Sequence, residues 1–496
     1  MRFHRGYMVG FLLLAIIIIA LPLTIYIAQK PQHTQQQAAG GGTALLVSPH
    51  SRDSNPGTQT TPQGAGGGNA LYVSPSGRDS NPGTQTAPFA TIEKADSVAT
   101  PGTTVHVLPG IYTWNGVYTT HSGTATAPIT FISDMKWGAK LIPASVSSYS
   151  HYNVWHAKGD YVYIIGFDIK GPPGVGTLDG IALEGSFGKI IGNKVHDIDI
   201  HATCANGGNG IYIWGHASHD DDIIGNLVYN IVSAPADICW ENHGIYYSQT
   251  GGHISNNIVY NVGAGWGIHC WHACSGVTIT NNLVFNNEGG IVFGGGDNPN
   301  FANSLCDHMV VANNIAVNNT RSPVGIGISE YEYEGQHTIG SHNQILNNLI
   351  YGNPGGNMAL LEGNTASGTV TSDAQFVNYQ QDGSGDYHLK STSPAIDAGT
   401  SVGAPSTDYG GNPRPQGKGY DIGPYAYSAS LGISPAPIYA RADTSAEKVL
   451  PPHSFDPEIN QPFAGLQIQA HNGNRKSRSR IDLDNQSARC TIPSMF

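Results

Sequence analysis

At 496 residues the chain is long enough for several domains, although a solenoid of this length is a single unit. Charged residues make up only 12%, against about 25% in an average globular protein; Gly, Asn, Ser and Thr replace them, which disfavours helices and suits short strands joined by turns. The formal charge of −12 excludes nucleic acid as an expected partner, because phosphate binding needs clustered Lys and Arg, and leaves any uronate ligand dependent on local cations or a metal.

The first element is apolar. Residues Tyr7 to Ala28 form a run near the roughly 20 residues that span a bilayer, and longer than the roughly 7–15 of a signal-peptide core. Arg2 and Arg5 precede it and Lys30 follows, which sets the N-terminus in the cytoplasm. Residues 1–30 are therefore predicted to be a cytoplasmic tip and transmembrane signal anchor, with the rest on the extracellular or periplasmic side. Cleavage of the segment would give a secreted protein instead. The six cysteines are compatible with an oxidising compartment.

Residues 31–69 read as a flexible linker. Within it, Ala44 to Thr60 returns almost verbatim as Ala70 to Thr86, and the first copy breaks off into Gln63-Gly-Ala-Gly-Gly-Gly68. The second copy continues into a short helix, with Phe89, Ile92, Ala95 and Val98 or Ala99 at helical spacing and Pro88 in its first turn.

Residues 70–428 carry a repeat. Pairs ending in Asn193, Asn226, Asn257, Asn282, Asn314 and Asn348 are each followed by an apolar pair, at steps of 33, 31, 25, 32 and 34. Such a unit buries its apolar face only by stacking on copies of itself, and the stacked Asn side chains are expected to hydrogen-bond as a ladder. A second strand begins at Gly180, Gly210, Gly244, Gly267, Gly290 and Gly325, each followed by Ile. Positions one and three after Gly are apolar and face inward; positions two and four face outward. The fold class is all-β: a right-handed parallel β-helix with a short capping α-helix, preceded by the transmembrane helix. The register sets Cys274 beside Cys306 and Cys204 near Cys239, so two coil-to-coil disulfides are expected, with Cys270 buried and Cys490 free. Residues 429–496 lose all periodicity and read as a disordered tail.

The segment Leu71 to Thr84, continuing through Pro109-Gly-Ile-Tyr112, resembles the opening of pectate-lyase-like right-handed β-helix proteins. Ser393-Pro-Ala-Ile-Asp-Ala-Gly399, Gly411-Asn-Pro-Arg414 and Asp421-Ile-Gly-Pro-Tyr425 resemble their closing segment. The resemblance implies the fold and an extracytoplasmic, carbohydrate-associated role. It transfers no catalytic residue. The family's lysine base has no counterpart between Lys194 and Lys390, and the paired-Asp and Gly-His-Gly pattern of polygalacturonases is missing. Calcium is the one cofactor weighed, through oxygens of Asp220-Asp-Asp222; no metal ligand is assigned.

The outward columns place Tyr212, Trp214, Tyr246, His269 and Trp271 over three consecutive coils, a surface suited to sugar rings. Tyr212, Trp214, Trp271 and Glu184 are the candidate substrate-binding residues; His243, Tyr246, His269 and Glu241 are the candidate catalytic ones. A His base and a Tyr acid would run β-elimination on an acidic polysaccharide without lysine. The alternatives are a non-catalytic polysaccharide-binding or cell-surface structural protein, and a glycoside hydrolase using two of Glu184, Glu241 and Asp222. The expected partners are a polysaccharide and, through the N-terminal helix, a membrane. The chain is expected to be a monomer.

Overall fold

A computed structural model describes residues 69–429, apart from 114–115, 144–152, 173–178, 201–207, 234–241, 264, 273, 297–304, 321–324 and 333–335. The expected membrane anchor, most of the linker and almost all of the tail lie outside these residues. Among the described residues no helix is long and apolar enough to cross a membrane.

Short strands stack coil upon coil into three parallel sheets, of 11, nine and nine strands among the described residues. The first runs from Ala70–Val73 to Ala366–Ser367, the second from Val117–Thr119 to Met358–Ala359, and the third from Gly110–Tyr112 to Leu349–Tyr351. Each sheet adds every third strand of the chain, so three strands make one coil of a parallel β-helix. This is the architecture that the resemblance implied. Phe376–Asn378 and Asp386–Leu389 pair antiparallel beside it.

The repeat has two physical causes. Asn256, Asn281, Asn313 and Asn347, with Gly192 and Gly225, turn the corner before the third sheet at positive φ, which Gly and Asn tolerate best. The next residue is the ladder. Asn193, Asn226, Asn257, Asn282, Asn314 and Asn348 are fully buried, and each Nδ2 donates to the next Oδ1 at 2.9–3.2 Å. Asp197, Asn230, Asn261, Asn286, Asn318 and Gly352 form a second positive-φ corner. One residue further on, Asn287, Asn319 and Asn353 form a second ladder that the sequence reading did not identify, at 3.1 and 2.9 Å.

The Gly of each Gly-Ile pair is required for space. A Cβ on Gly244 would stand 2.2 Å from Val259 Cγ1 and 2.6 Å from the Gly267 carbonyl. The chain enters the second sheet so close to the core that only hydrogen fits, and the following Ile (Ile181, Ile211, Ile245, Ile268, Ile291) is fully buried.

Three expectations change. The helix is Ile92–Asp96, capped by Thr91 Oγ1 accepting the Lys94 N–H at 3.1 Å, so Pro88 lies before it rather than in its first turn. Ile92 and Ala95 seal the end of the core, whereas Val98 is 45% exposed. The last coil pairs Ile291 with Ile328, so its Gly is Gly327, not Gly325, and Val292 and Gly294 face Ser329 and Tyr331. Cys274 and Cys306 do lie one coil apart, but as free thiols with sulfurs 2.9 Å apart; Cys270 is buried nearby. Cys204, Cys239 and Cys490 lie outside the described residues.

The closing segment covers the outer face of the third sheet, where Tyr260, Leu283, Phe285 and Ile315 meet Phe376, Tyr387, Ile422 and Tyr425 in a second apolar core. Its backbone is held by the corner asparagines. Asn256 Nδ2 donates to Thr407 O at 2.8 Å, Asn281 to Asp421 O and Gly423 O at 3.1 and 3.0 Å, Asn313 to Thr400 O at 2.7 Å and Asn347 to Ala398 O at 2.8 Å. The outer face of the second sheet is the one that carries the candidate site.

Candidate active site on the second sheet

The register of this sheet sets Ala182, Tyr212, Tyr246, His269, Val292 and Ser329 in one outward column. Trp214 and Ser248 face each other in the next, which continues to Gly294 and Tyr331. The residues before Gly180, Gly210 and Gly244 make a third column, Asp179, Asn209 and His243, which starts at Asn153 on the preceding coil.

Strand spacing turns these columns into a continuous run of rings. Trp214 stacks on Tyr212 at 6.1 Å, Tyr212 meets Tyr246 edge-on at 5.4 Å, and Tyr246 meets His269 at 5.1 Å. His269 lies 5.3 Å from Trp271, which stacks on Tyr331 at 5.4 Å. The run is less exposed than the alternation predicted. Trp214 and Tyr331, at its ends, are 37% and 50% exposed, but Trp271 is only 6% exposed and His243 2%. Gly294 leaves room for the Trp271 ring; a Cβ there would be 3.0 Å from it.

Both nitrogens of His243 are engaged. Nδ1 accepts the Trp266 backbone N–H at 3.3 Å, and Nε2 lies 2.8 Å from His269 Nδ1. Burial lowers the His243 pKa to about 3, so the ring is neutral with its proton on Nε2, donating to His269. His269, whose pKa burial also holds well below the usual range, then carries its proton on its own Nε2. In this state the pair presents a donor to a ligand, not a base.

The carboxyls divide into two environments. Glu184 Oε1 lies 2.7 Å from His156 Nε2 and Oε2 lies 3.1 Å from Lys158 Nζ. Asp179 is fully buried; its Oδ1 accepts the Asn209 amide at 2.8 Å and the Asn209 backbone N–H at 3.1 Å, while Oδ2 has no partner. Burial pushes the Asp179 pKa up to about 7. Burial, then the Asp179 and Glu184 charges, push the Tyr212 phenol upward, so it stays protonated.

Of the candidates, Tyr212, Trp214, Tyr246, His243, His269 and Trp271 come together, with Glu184 at the edge, and Glu241 lies outside the described residues. Sequence reading missed Asp179, His156, Lys158 and Tyr331. His243, before Gly244, is among the sequence candidates, whereas Asp179, in the same place before Gly180, is not. The Asp220–Asp222 carboxylates have protein partners: Asp220 with His219 at 2.8 Å, Asp221 with the Gly188 N–H at 2.6 Å, and Asp222 with Lys189 and His253.

A family model described as a protein of unknown function (DUF1565) matches residues 75–117. No curated protein matches the sequence. Among solved structures, the chain is similar to pectate lyase Pel9A at 18% identity and a TM-score of 0.48, over 73% of this chain and 96% of that one. It is also similar to an alginate lyase from Paenibacillus sp. str. FPU-7, at 19% identity and a TM-score of 0.32, over 56% and 92% of the two chains. A rhamnogalacturonan lyase is similar at 14% identity and a TM-score of 0.31, over 64% and 92%. At these identities no catalytic residue is carried over from them.

Proposed function

We propose that the protein is a carbohydrate-active β-helix, tethered outside the cytoplasm through residues 1–30, that binds an acidic polysaccharide along the second sheet and cleaves it by β-elimination. The observation that carries the reading is the ring run from Trp214 to Tyr331, exposed at both ends and bordered by Asp179 and the His243–His269 pair. Sugar rings offer apolar faces to aromatic rings and hydroxyls to their polar edges.

In the elimination a base removes the proton α to the uronate carboxyl. The C4–O4 bond then breaks as the C4–C5 double bond forms, and an acid protonates the leaving oxygen. Asp179, with a pKa of about 7 and an unpartnered Oδ2, is assigned the base role, which requires its fully buried side chain to be uncovered when the glycan binds. The Tyr246 phenol, between Tyr212, His243 and His269, is the acid. His269 supplies an N–H for the uronate carboxyl, oriented by His243 from behind. The histidines thus become donor and positioning groups rather than the base.

The non-catalytic alternative is favoured by the burial of Asp179, His243 and Trp271. Hydrolysis by Asp179 together with Glu184 is disfavoured, whereas Glu241, named for that alternative with Glu184 and Asp222, lies outside the described residues. Asp179 and Glu184 are five residues apart on extended backbone, about 16 Å at a strand's rise, whereas glycosidase carboxyls stand about 5–9.5 Å apart.

The test is incubation of the full-length protein with a polyuronate panel, following the absorbance of the unsaturated product. A rise that is lost in Asp179→Asn and Tyr246→Phe, with binding retained, supports the scheme. Trp214→Ala and Tyr331→Ala should each weaken binding about tenfold, near 1.4 kcal/mol. Reducing ends without that absorbance would replace elimination by hydrolysis, and binding without turnover would leave the surface module.

A further inference from the structure

A second cluster lies away from the aromatic face, at the turns leading into the first sheet. Pairing of Val310 with Gln344 sets a 34-residue offset between neighbouring coils, so His308 stands beside His342. Their rings are 4.9 Å apart and 18° from parallel. Asp307 Oδ2 lies 3.1 Å from His308 Nδ1 and 2.8 Å from His342 Nδ1, and these three atoms lie within 4.8 Å of one another. The carboxylate is fixed, because Oδ1 accepts the His342 backbone N–H at 2.9 Å. Its side chain is 13% exposed, while the imidazoles are 69% and 66% exposed.

The surroundings are shaped for this group. A Cβ on Gly340 would stand 2.2 Å from Asp307 Cγ, so the carboxylate occupies space that only glycine leaves. In the same registers one coil before and one coil after, Gly276 and Gly363 leave nothing within 4 Å of a Cβ position, so the approach to the imidazoles is open.

We propose that Asp307, His308 and His342 form a site for a divalent transition-metal ion of the zinc class, with Oδ2 and the two Nδ1 atoms as ligands and water completing the shell. Two imidazoles with one carboxylate suit zinc, cobalt, nickel or copper rather than the all-oxygen shells of calcium and magnesium. Ligands about 2.0–2.1 Å from a tetrahedral ion stand roughly 3.3 Å apart, so Oδ2 needs to move only a few tenths of an ångström from each Nδ1, while the two Nδ1 atoms, within 4.8 Å of each other, adjust to the same spacing. Each imidazole shifts its proton from Nδ1 to the solvent-facing Nε2, and no net proton is released from the neutral rings. The ion adds a cross-link between two coils already joined there by backbone pairing and by the Asp307–His342 contacts.

Zinc titration by calorimetry, with cobalt absorption as a spectroscopic probe, tests the site on the full-length protein. One equivalent should bind with cobalt bands from nitrogen ligands, and zinc should raise the unfolding temperature. His308→Ala and His342→Ala should each weaken zinc binding tenfold or more without changing the metal-free unfolding temperature. Gly340→Ala, which displaces the carboxylate, should weaken it as well. Glu362→Gln serves as the control, because Glu332, His337 and Glu362 form a separate group that also offers ligand atoms. Equal zinc affinity in the wild type and His308→Ala, or loss of binding in Glu362→Gln alone, would overturn the proposal.

Discussion

Replacing Asp179 with Asn should stabilise the protein at alkaline pH while abolishing the turnover proposed above. The Asp179 side chain is fully buried, with one oxygen bonded to Asn209 and the other without a partner. Its pKa rises from 3.8 to about 7 in the fold. Between those values the native state holds a proton that the unfolded chain has released, so stability falls as pH rises through this window and is flat above it. A shift of about 3 units at 1.36 kcal/mol each corresponds to about 4 kcal/mol of destabilisation fully present at pH 8. Asn keeps the shape of the protonated acid without that penalty. Urea unfolding of the wild type and Asp179→Asn at pH 4.5 and pH 8 reads it out. The variant should be more stable by only about 1 kcal/mol at the lower pH, just above the unfolded-state pKa of 3.8, and by up to about 4 kcal/mol at the higher. A difference that does not grow with pH would refute the account of a carboxyl held in its neutral form.

Asn282→Ala removes two donated and two accepted hydrogen bonds and orphans the buried Asn257 N–H; at about 1–3 kcal/mol for that group and about 0.5–1.5 kcal/mol for each bond donated by Asn282 it should cost about 2–6 kcal/mol. Asn286→Gly, at a positive-φ corner, should stay within about 0.5 kcal/mol by the same urea measurement. Oxidation should join Cys274 and Cys306, whose sulfurs already touch, seen as two fewer alkylatable thiols by intact mass in unfolded, unreduced protein; Cys306→Ser should remove the difference.

The coils were legible because their corners demand particular residues. Positive φ selects Gly or Asn at 192, 225, 256, 281, 313 and 347, the ladder selects Asn one position later, and the crowded entry into the second sheet selects Gly before Ile. The failures have equally local causes. Gly325-Ile-Gly-Ile328 offers two equivalent phases, and only pairing with Ile291 decides between them. Alternation gives the direction of Trp271 but not its burial, which depends on Gly294 one coil away and Tyr331 two coils away, and the burial of His243 goes with its hydrogen bond to His269. Asp179 was missed because its environment comes from Asn209 on the next coil, 30 residues later.

The corner asparagines also act as a ruler. Four successive coils each present one side-chain amide, and a single closing segment meets them through Thr407, Asp421 with Gly423, Thr400 and Ala398. Stacked repeats ordinarily gain or lose units freely, because each touches only its neighbours. Here an extra coil between Asn256 and Asn347 would carry these anchors about 4.8 Å out of step with a strap of fixed length. The closing segment therefore fixes the number of coils between Asn256 and Asn347, and growth of the solenoid is easier before Asn256, where among the described residues no corner side-chain amide donates to this strap.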